Sequence, residues 1–374
     1  MPWQEKSTMD QREEFVRLAR LEGVNRRELC RRFAISPQTG YKWLHRFEAG
    51  DVLEDRSRRP QSSPQRLCHA LEEAILSVRR AHPAWGARKI AAVLSRTHDS
   101  VPAVSTIHAV LRRHDCIRPR DRSGTDWQRF EEEEANRLWQ MDFKGRVRLG
   151  NAQECHPLTV VDDHSRFAVC LAACPDQRTQ TVQTQLERSF CLYGLPDAFL
   201  VDNGAPWGSS YRNSHWTPLR VWLARLGVNV IYARPFHPQT KGKNERFNRT
   251  LNEEVLALRC YRSQEQLQQA FDRWRLIYNH HRPHEALSDK VPASRYRPSR
   301  RGWPKTLPEM SYENSTITRK VPTTKAQISY KGRLWSVPKA FRGYSLAIRP
   351  SSQPGKYGIF FGANKVAQID LNAL

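Results

Sequence analysis

The sequence predicts a three-part chain: an all-α N-terminal region, a central mixed α/β domain and a small antiparallel β-barrel at the C-terminal end. Three observations lead there. Apolar residues recur at helical spacing between capping residues over roughly the first 118 positions. Apolar runs of strand length then precede long helices over 136–298. After residue 314, apolar and polar residues alternate between glycine-marked turns.

A chain of 374 residues is long enough for two or three domains. With 39% hydrophobic and 26% charged residues it reads as globular, neither wholly disordered nor a coiled-coil rod. No apolar stretch approaches the ~20 residues that span a bilayer. The start, MPWQEKSTMDQREEF, shows no secretory or import signal, so a soluble intracellular protein is expected. The 8 cysteines include no Cys-x-x-Cys pair, which argues against a zinc ribbon and a disulfide framework; reduced, mostly buried thiols are expected.

Formal charge is +23, a sign and size that attract polyphosphate. Residues 1–120 carry 23 basic and 14 acidic residues, 121–299 carry 25 and 21, and 300–374 carry 13 and 3. Cationic ends around a nearly balanced middle suit a catalytic domain held on nucleic acid by flanking modules. A generally basic solvated surface would give the same totals.

In residues 1–54, Phe15, Leu18 and Leu21 share a helix face before Gly23, and Leu29 and Phe33 mark a second short helix. Ser36 as cap and Pro37 in the first turn open a third, running to about Glu48. In such a helix-turn-helix the third helix enters the major groove by its N-terminal residues. Gln38, Thr39, Tyr41 and Lys42 are the candidate contacts, with Arg46 reaching phosphate. A plain three-helix bundle has the same apolar pattern; the arginine density favours DNA. Residues 55–66 form a basic linker whose Arg56, Arg58 and Arg59 can track a backbone. Residues 67–120 repeat the order of two helices, a turn and a third helix. This second module is expected to be capped by Ser105 and to present Ser105, Thr106 and His108 to DNA, although a surface histidine is the commoner fate of such a residue.

Residues 121–135 read as a linker whose EEEE, at 131–134, is a solvated helical segment. The core then begins. LWQMDF at 138–143 is a buried strand, and 156–174 forms two strands turning at Asp163, His164 and Ser165. A helix covers 179–193, a short strand lies within 197–204, and helices start near Lys243 and at Ser263. Asp142 stands inside an apolar strand and Asp202 ends another. An ionised carboxylate there costs several kcal/mol unless it is paired or binds a metal. In the helix after Lys243, Phe247, Leu251, Val255 and Leu258 form the apolar stripe, leaving Glu245, Asn248 and Asn252 on another face. Three carboxylates from two strands and a helix could hold two divalent ions for an in-line phosphodiester displacement. Taken singly, each has an ordinary reading: Asp142 paired with an arginine, Asp202 a turn former, Glu245 an acid favoured by the helix dipole.

In order and content, LWQMDFKG, TVVDDHSRF, LVDNG, RPFHPQTKGKNERFNRTLNEE and YNHHRPHEAL resemble the integrase core of DDE transposases and retroviral integrases, bacterial insertion-sequence transposases above all. The resemblance covers residues 136–298. It implies a ribonuclease-H-like fold with Asp142, Asp202 and Glu245 as catalytic triad and metal ligands. It further implies two Mg²⁺ ions, with Mn²⁺ able to substitute. The activity implied is DNA transposition: metal-dependent 3′-end cleavage and strand transfer of an element whose terminal inverted repeats the helix-turn-helix modules recognise. A homodimer or higher assembly on double-stranded DNA and a cytoplasmic, nucleoid-associated location follow. The rival is a catalytically inactive, transposase-derived repressor; the three intact carboxylates speak against it.

Asp162 and Asp163 compete as acids but sit at a hairpin, where Asp is common for backbone reasons. The 42 residues between Asp202 and Glu245 exceed the retroviral spacing and imply an insertion around WGSSYRNSHW. Lys241, Lys243 and Arg246 flank the start of the glutamate helix and are candidates to grip phosphate, against the alternative of a solvated lysine pair. His280, His281 and His284 are not taken as a zinc site, because Pro283 breaks their spacing. Residues 299–313 read as a linker, and 314–374 as the barrel, similar to the family's C-terminal barrel and basic enough for non-specific DNA contact.

Overall fold

The structure is a computed structural model that describes residues 7–55, 67–117, 131–208, 216–233 and 242–372. It divides into two compact units, Met1–Leu67 and Cys68–Leu374.

The first unit contains α1 (Thr8–Ala19), α2 (Arg26–Arg32) and α3 (Pro37–Glu48). Each start is capped by a side chain. Ser7 and Asp10 form a reciprocal capping box, Asn25 accepts from the N–H groups of Arg27 and Glu28, and Ser36 accepts from Thr39. Phe15, Val16, Leu29, Trp43, Leu44 and Leu53 form the core. The close approach of α3 depends on Gly40, where a Cβ would lie 2.6 Å from Cys30 Sγ and 2.7 Å from Phe15 Cζ. Leu21 departs from expectation and is exposed, because α1 stops at Ala19 and the residue falls in the following turn.

The second unit begins with α4 (His69–Ala81), α5 (Ala87–Leu94) and α6 (Val104–Arg113), packed through Ile75, Ile90, Ile107 and Val110. The expected cap at Ser105 is not made. Extended Ala103 is the cap residue, and Ser105 already lies in the first turn.

The sheet comprises β1 (Leu138–Phe143), β2 (Val147–Arg148), β3 (Glu154–Asp162), β4 (Ala168–Cys174), β5 (Ala198–Val201) and β6 (Asn229–Tyr232). β3 pairs antiparallel with β1, β2 and β4, whereas β1, β5 and β6 run parallel. Its helices are α7 (Thr179–Tyr193), α8 (Pro218–Arg225), α9 (Gly242–Leu251) and α10 (Gln264–His280). Strand alternation sorts the core into two layers. Trp139, Met141, Leu158 and Val160 pack with Leu186, Phe190 and Trp222 of α7 and α8. Val161, Ala168, Leu171 and Ala173 pack with Phe247, Leu251, Phe271 and Trp274 of α9 and α10. Along β4, α10 side chains bond the strand's backbone. Gln268 accepts from Ala173 N–H, Gln264 donates to the Ala173 carbonyl, Arg275 to Val169, and Asn279 bonds both groups of Ala168. Backbone that would otherwise invite another strand is thereby covered.

Four further expectations need correction. The apolar stripe ends at Val255, and Leu258 is exposed, because the helix closes with a π turn at Asn252–Leu256 capped by Ala257, which leaves Leu258 beyond its end. EEEE is not helical: Glu131 pairs with Arg166 (2.7 Å) and Arg295 (3.0 Å), which draws this stretch onto the core. Residues 299–313 are a packed strap. Arg301 donates to the carbonyls of Pro196, Leu226 and Gly227, Trp303 stacks on Phe190, and the strap passes so close to Gly194 (φ +76°) that a Cβ there would lie 2.8 Å from Ser299 O.

The fourth concerns the barrel. β7 (Ile317–Lys320), β10 (Ser345–Pro350), β11 (Lys356–Phe361) and β12 (Asn364–Asp370) make an open antiparallel sheet, while β8 (Gln327–Tyr330) and β9 (Arg333–Ser336) pair as a separate hairpin. Their apolar faces need no closure to be buried, because Trp216, just before α8, and Val221 within it join the same cluster; the Trp216 ring lies 4.8 Å from the Phe341 ring.

Candidate active site

β1 and β5 run parallel in the register Leu138↔Ala198, Trp139↔Phe199, Gln140↔Leu200. Asp142 and Asp202 lie two residues further on in each chain, at the same offset, so they stand side by side where the two strands end. Neighbouring strands are separated by about 4.8 Å. Both aspartates are half-buried. Asp202 turns the chain, accepting from Gly204 N–H at 3.0 Å; a Cβ at Gly204 would come within 3.4 Å of that carboxylate oxygen.

α9 packs across β1 and β3, over the strand that carries Asp142. Alternation puts Gln140 and Asp142 on its side of the sheet, with Thr159 opposite Asp142 on β3. Asn248 Nδ2 donates to Asp142 Oδ2 at 3.2 Å, and Gln140 Oε1 accepts from Asn244 N–H at 3.2 Å. Thr159 Oγ1 lies 3.1 Å from both Asn244 Oδ1 and the Asp142 carbonyl. Glu245 is exposed in the first turn of α9, three residues before Asn248 and thus adjacent to it on the helix surface. The structure therefore brings Asp142 and Asp202 together. It does not close Glu245 onto them: among the described residues no three His, Cys, Asp or Glu side chains gather tightly enough to hold a metal ion.

The donor set nevertheless suits a hard divalent cation. Two carboxylates lie side by side, and the amide oxygen of Asn248, buried beside Asp142, finds no hydrogen-bond partner among the described residues. Orphaned buried oxygen is costly and fits a cation better than a donor-free wall.

Sequence reasoning passed over what lies beneath α9. Asp163 is fully buried; it accepts from Gln140 Nε2 and Glu132 N–H, both at 2.8 Å, and pairs with the Lys243 ammonium. Lys243, expected to grip phosphate, points to the hairpin instead. The signal was a second acid directly after an apolar strand, and a turn explanation absorbed it. For Asp162 the turn explanation holds: it accepts from the N–H groups of Ser165 and Asn136. Burial raises its carboxyl pKa, and the Ser165 hydroxyl acts in the opposite direction. His284 is bonded to the Tyr278 hydroxyl at 2.9 Å, and burial followed by the nearby Arg282 lowers its pKa to about 3.

Of the candidate DNA contacts, Gln38, Tyr41, Lys42, Ser105, His108 and Arg246 are exposed, and Thr39 and Thr106 half-buried. Arg46 is half-buried and engaged within its own unit, donating to the Glu54 carbonyl at 2.8 Å and lying 4.9 Å from the Trp43 ring. Arg56, Arg58, Arg59 and Lys241 lie outside the described residues, as does most of the expected insertion.

Family comparison matches integrase core domain models over residues 132–238 and 226–292, and the IS481 family transposase C-terminal domain over 316–374. A helix-turn-helix domain matches 11–61 and a homeodomain-like domain 39–111. An uncharacterized 39.2 kDa protein of insertion element IS476 from Xanthomonas euvesicatoria is 30% identical over 42% of this chain and 43% of its own length. An uncharacterized 31.7 kDa protein of insertion element IS407 from Burkholderia multivorans is 27% identical over 42% and 54%. The chain thus spans about half the length of these relatives. Among solved structures, the magnesium-bound HTLV-2 integrase catalytic core aligns with a TM-score of 0.33 at 15% identity, over 44% of this chain and 99% of that one.

Proposed function

Because the chain belongs to the insertion-sequence transposases of the integrase superfamily, we propose that it binds the terminal inverted repeats of a mobile element, cleaves their 3′ ends and joins them to target DNA. The observation that carries this reading is the side-by-side placement of Asp142 and Asp202, with the helix that bears Glu245 packed on the Asp142 strand. Asp142 and Asp202 would hold the divalent ions, Mg²⁺ or Mn²⁺, with Glu245 as third ligand. When bound, such ions activate the attacking oxygen and stabilise the leaving one.

The chain's own residues do the rest. Asn248 orients Asp142, and Gly204 leaves the Asp202 carboxylate uncrowded. Gln38, Tyr41 and Lys42 on α3, and Ser105, Thr106 and His108 on α6, form the groove-reading surfaces. Arg246, exposed next to Glu245, meets phosphate. Two element ends must be joined, so a homodimer or higher assembly on DNA is the working form.

The test is incubation of the full chain with Mg²⁺ and labelled duplexes ending in the repeats that flank its gene, beside Glu245→Gln. Nicking and strand transfer by the wild type, reduced at least 100-fold (roughly the scale of one lost catalytic electrostatic contact) in the variant with DNA binding kept, support the reading. Binding without cleavage, in Mn²⁺ as well, would leave the repressor reading instead.

A further inference from the structure

We propose that Lys243 and Asp163 are positioning residues for Glu245: their ion pair, joined by Gln140, sets the first turn of α9 against the strand that carries Asp142. The inference rests on the reading of Glu245 given above.

The first turn of a helix is its weakest part, since its N–H groups have no intrahelical partner and its end frays. Glu245 sits in that turn. Here the strand supplies what the helix end needs. Gln140, two residues before Asp142, accepts from Asn244 N–H through its amide oxygen and donates through its amide nitrogen to Asp163. Lys243, two residues before Glu245, pairs with the Asp163 carboxylate and donates to the Asp163 carbonyl at 3.2 Å. One side chain from β1, one from the β3–β4 hairpin and one from α9 therefore form a closed bridge around the glutamate turn. Asp163 is wholly buried and the Lys243 side chain is 16% exposed. Breaking such a pair leaves an uncompensated charge, so the turn is held in one register and not merely attracted to the sheet. A phosphate-gripping lysine would instead present its ammonium to solvent.

The experiment compares Lys243→Met, Asp163→Asn, the double variant and Gln140→Met in the full chain. Mn²⁺ affinity without DNA is read from the electron paramagnetic resonance signal of free Mn²⁺, and DNA affinity as a function of salt. Each single variant should weaken Mn²⁺ binding by about 10-fold, the lower bound for residues that orient metal ligands. The double should be no worse than either single, with DNA affinity within about twofold of wild type. Gln140→Met keeps the charges paired and still weakens Mn²⁺ binding, which separates positioning from misfolding of a variant with a buried lone charge. Lys243→Met that loses DNA affinity, with a salt slope shallower by about 1 while Asp163→Asn does not, makes Lys243 a phosphate contact and overturns the inference. Folded variants that bind Mn²⁺ as wild type does, while Glu245→Gln does not, overturn it alone. A wild type that neither binds Mn²⁺ nor cleaves removes the parent reading and this one together.

Discussion

Arg282→Met tests how the segment after the glutamate helix is anchored. Glu254, in the π turn, accepts from Arg282 Nε and Trp274 Nε1, each at 2.9 Å, and the ion pair is only 8% and 9% exposed. Removing one partner of a buried pair costs about 3–5 kcal/mol, because the remaining charge loses its compensation. Trp274 still donates to Glu254 in the variant, so the low end, about 3 kcal/mol, is expected. Glu254→Gln in the same background removes the stranded charge and should recover about 2 kcal/mol, giving a strongly non-additive cycle. Scanning calorimetry of the full chain reads this directly. The main transition should fall by roughly 6 °C in Arg282→Met, at about 2 °C per kcal/mol for a large unit, and return by roughly 4 °C in the double variant. A shift below about 2 °C, or strictly additive single effects, would refute the argument that this pair is held by burial and not by exposed charge attraction.

Gln268→Ala strips the bonded partner from Ala173 N–H at the β4 edge; a loss of about 1–3 kcal/mol in urea unfolding, with more aggregation on light scattering, is expected. Gly40→Ala forces a methyl against Cys30 and Phe15 and should destabilise the first unit by about 1–3 kcal/mol in a thermal melt, leaving the Mn²⁺ affinity of the full chain unchanged. His284 has its folded pKa lowered from 6.5 to about 3, so the unfolded chain binds the extra proton between those values. Its contribution is complete above pH 6.5 and falls as pH drops, by about 2 kcal/mol at pH 5, and comparing melts at pH 7.5 and 5 for wild type and His284→Gln should show the smaller drop in the variant.

Where local chemistry decides structure, the sequence was sufficient. The Ser36–Pro37 start of α3, the run of α7 over 179–193 and the β1 strand at 138–143 follow from capping, spacing and apolar run length, and the structure has them there. From local signals Asp142 was legible as an acid inside an apolar strand and Asp202 as one ending another; only the resemblance to the integrase core implied that they act together. That they adjoin is a property of parallel register, which no local signal encodes. Glu131 and the strap at 299–313 were misread because their state depends on partners far away in sequence, namely Arg166 and Arg295, and the loops that receive Arg301; Leu258 was misread for a local reason, since the helix closes in a π turn before reaching it.

Asp163 and Lys243 show the same division. As sequence, one is a turn acid and the other a surface lysine beside a glycine. Folding buries the carboxylate completely, and a buried charge must take the nearest cation, which α9 brings to it. The sequence by itself determined where the main helices and strands form and which acids they carry. Tertiary structure alone decided which of those charges meet, because partners are chosen by desolvation and distance, and both exist only once the chain has packed.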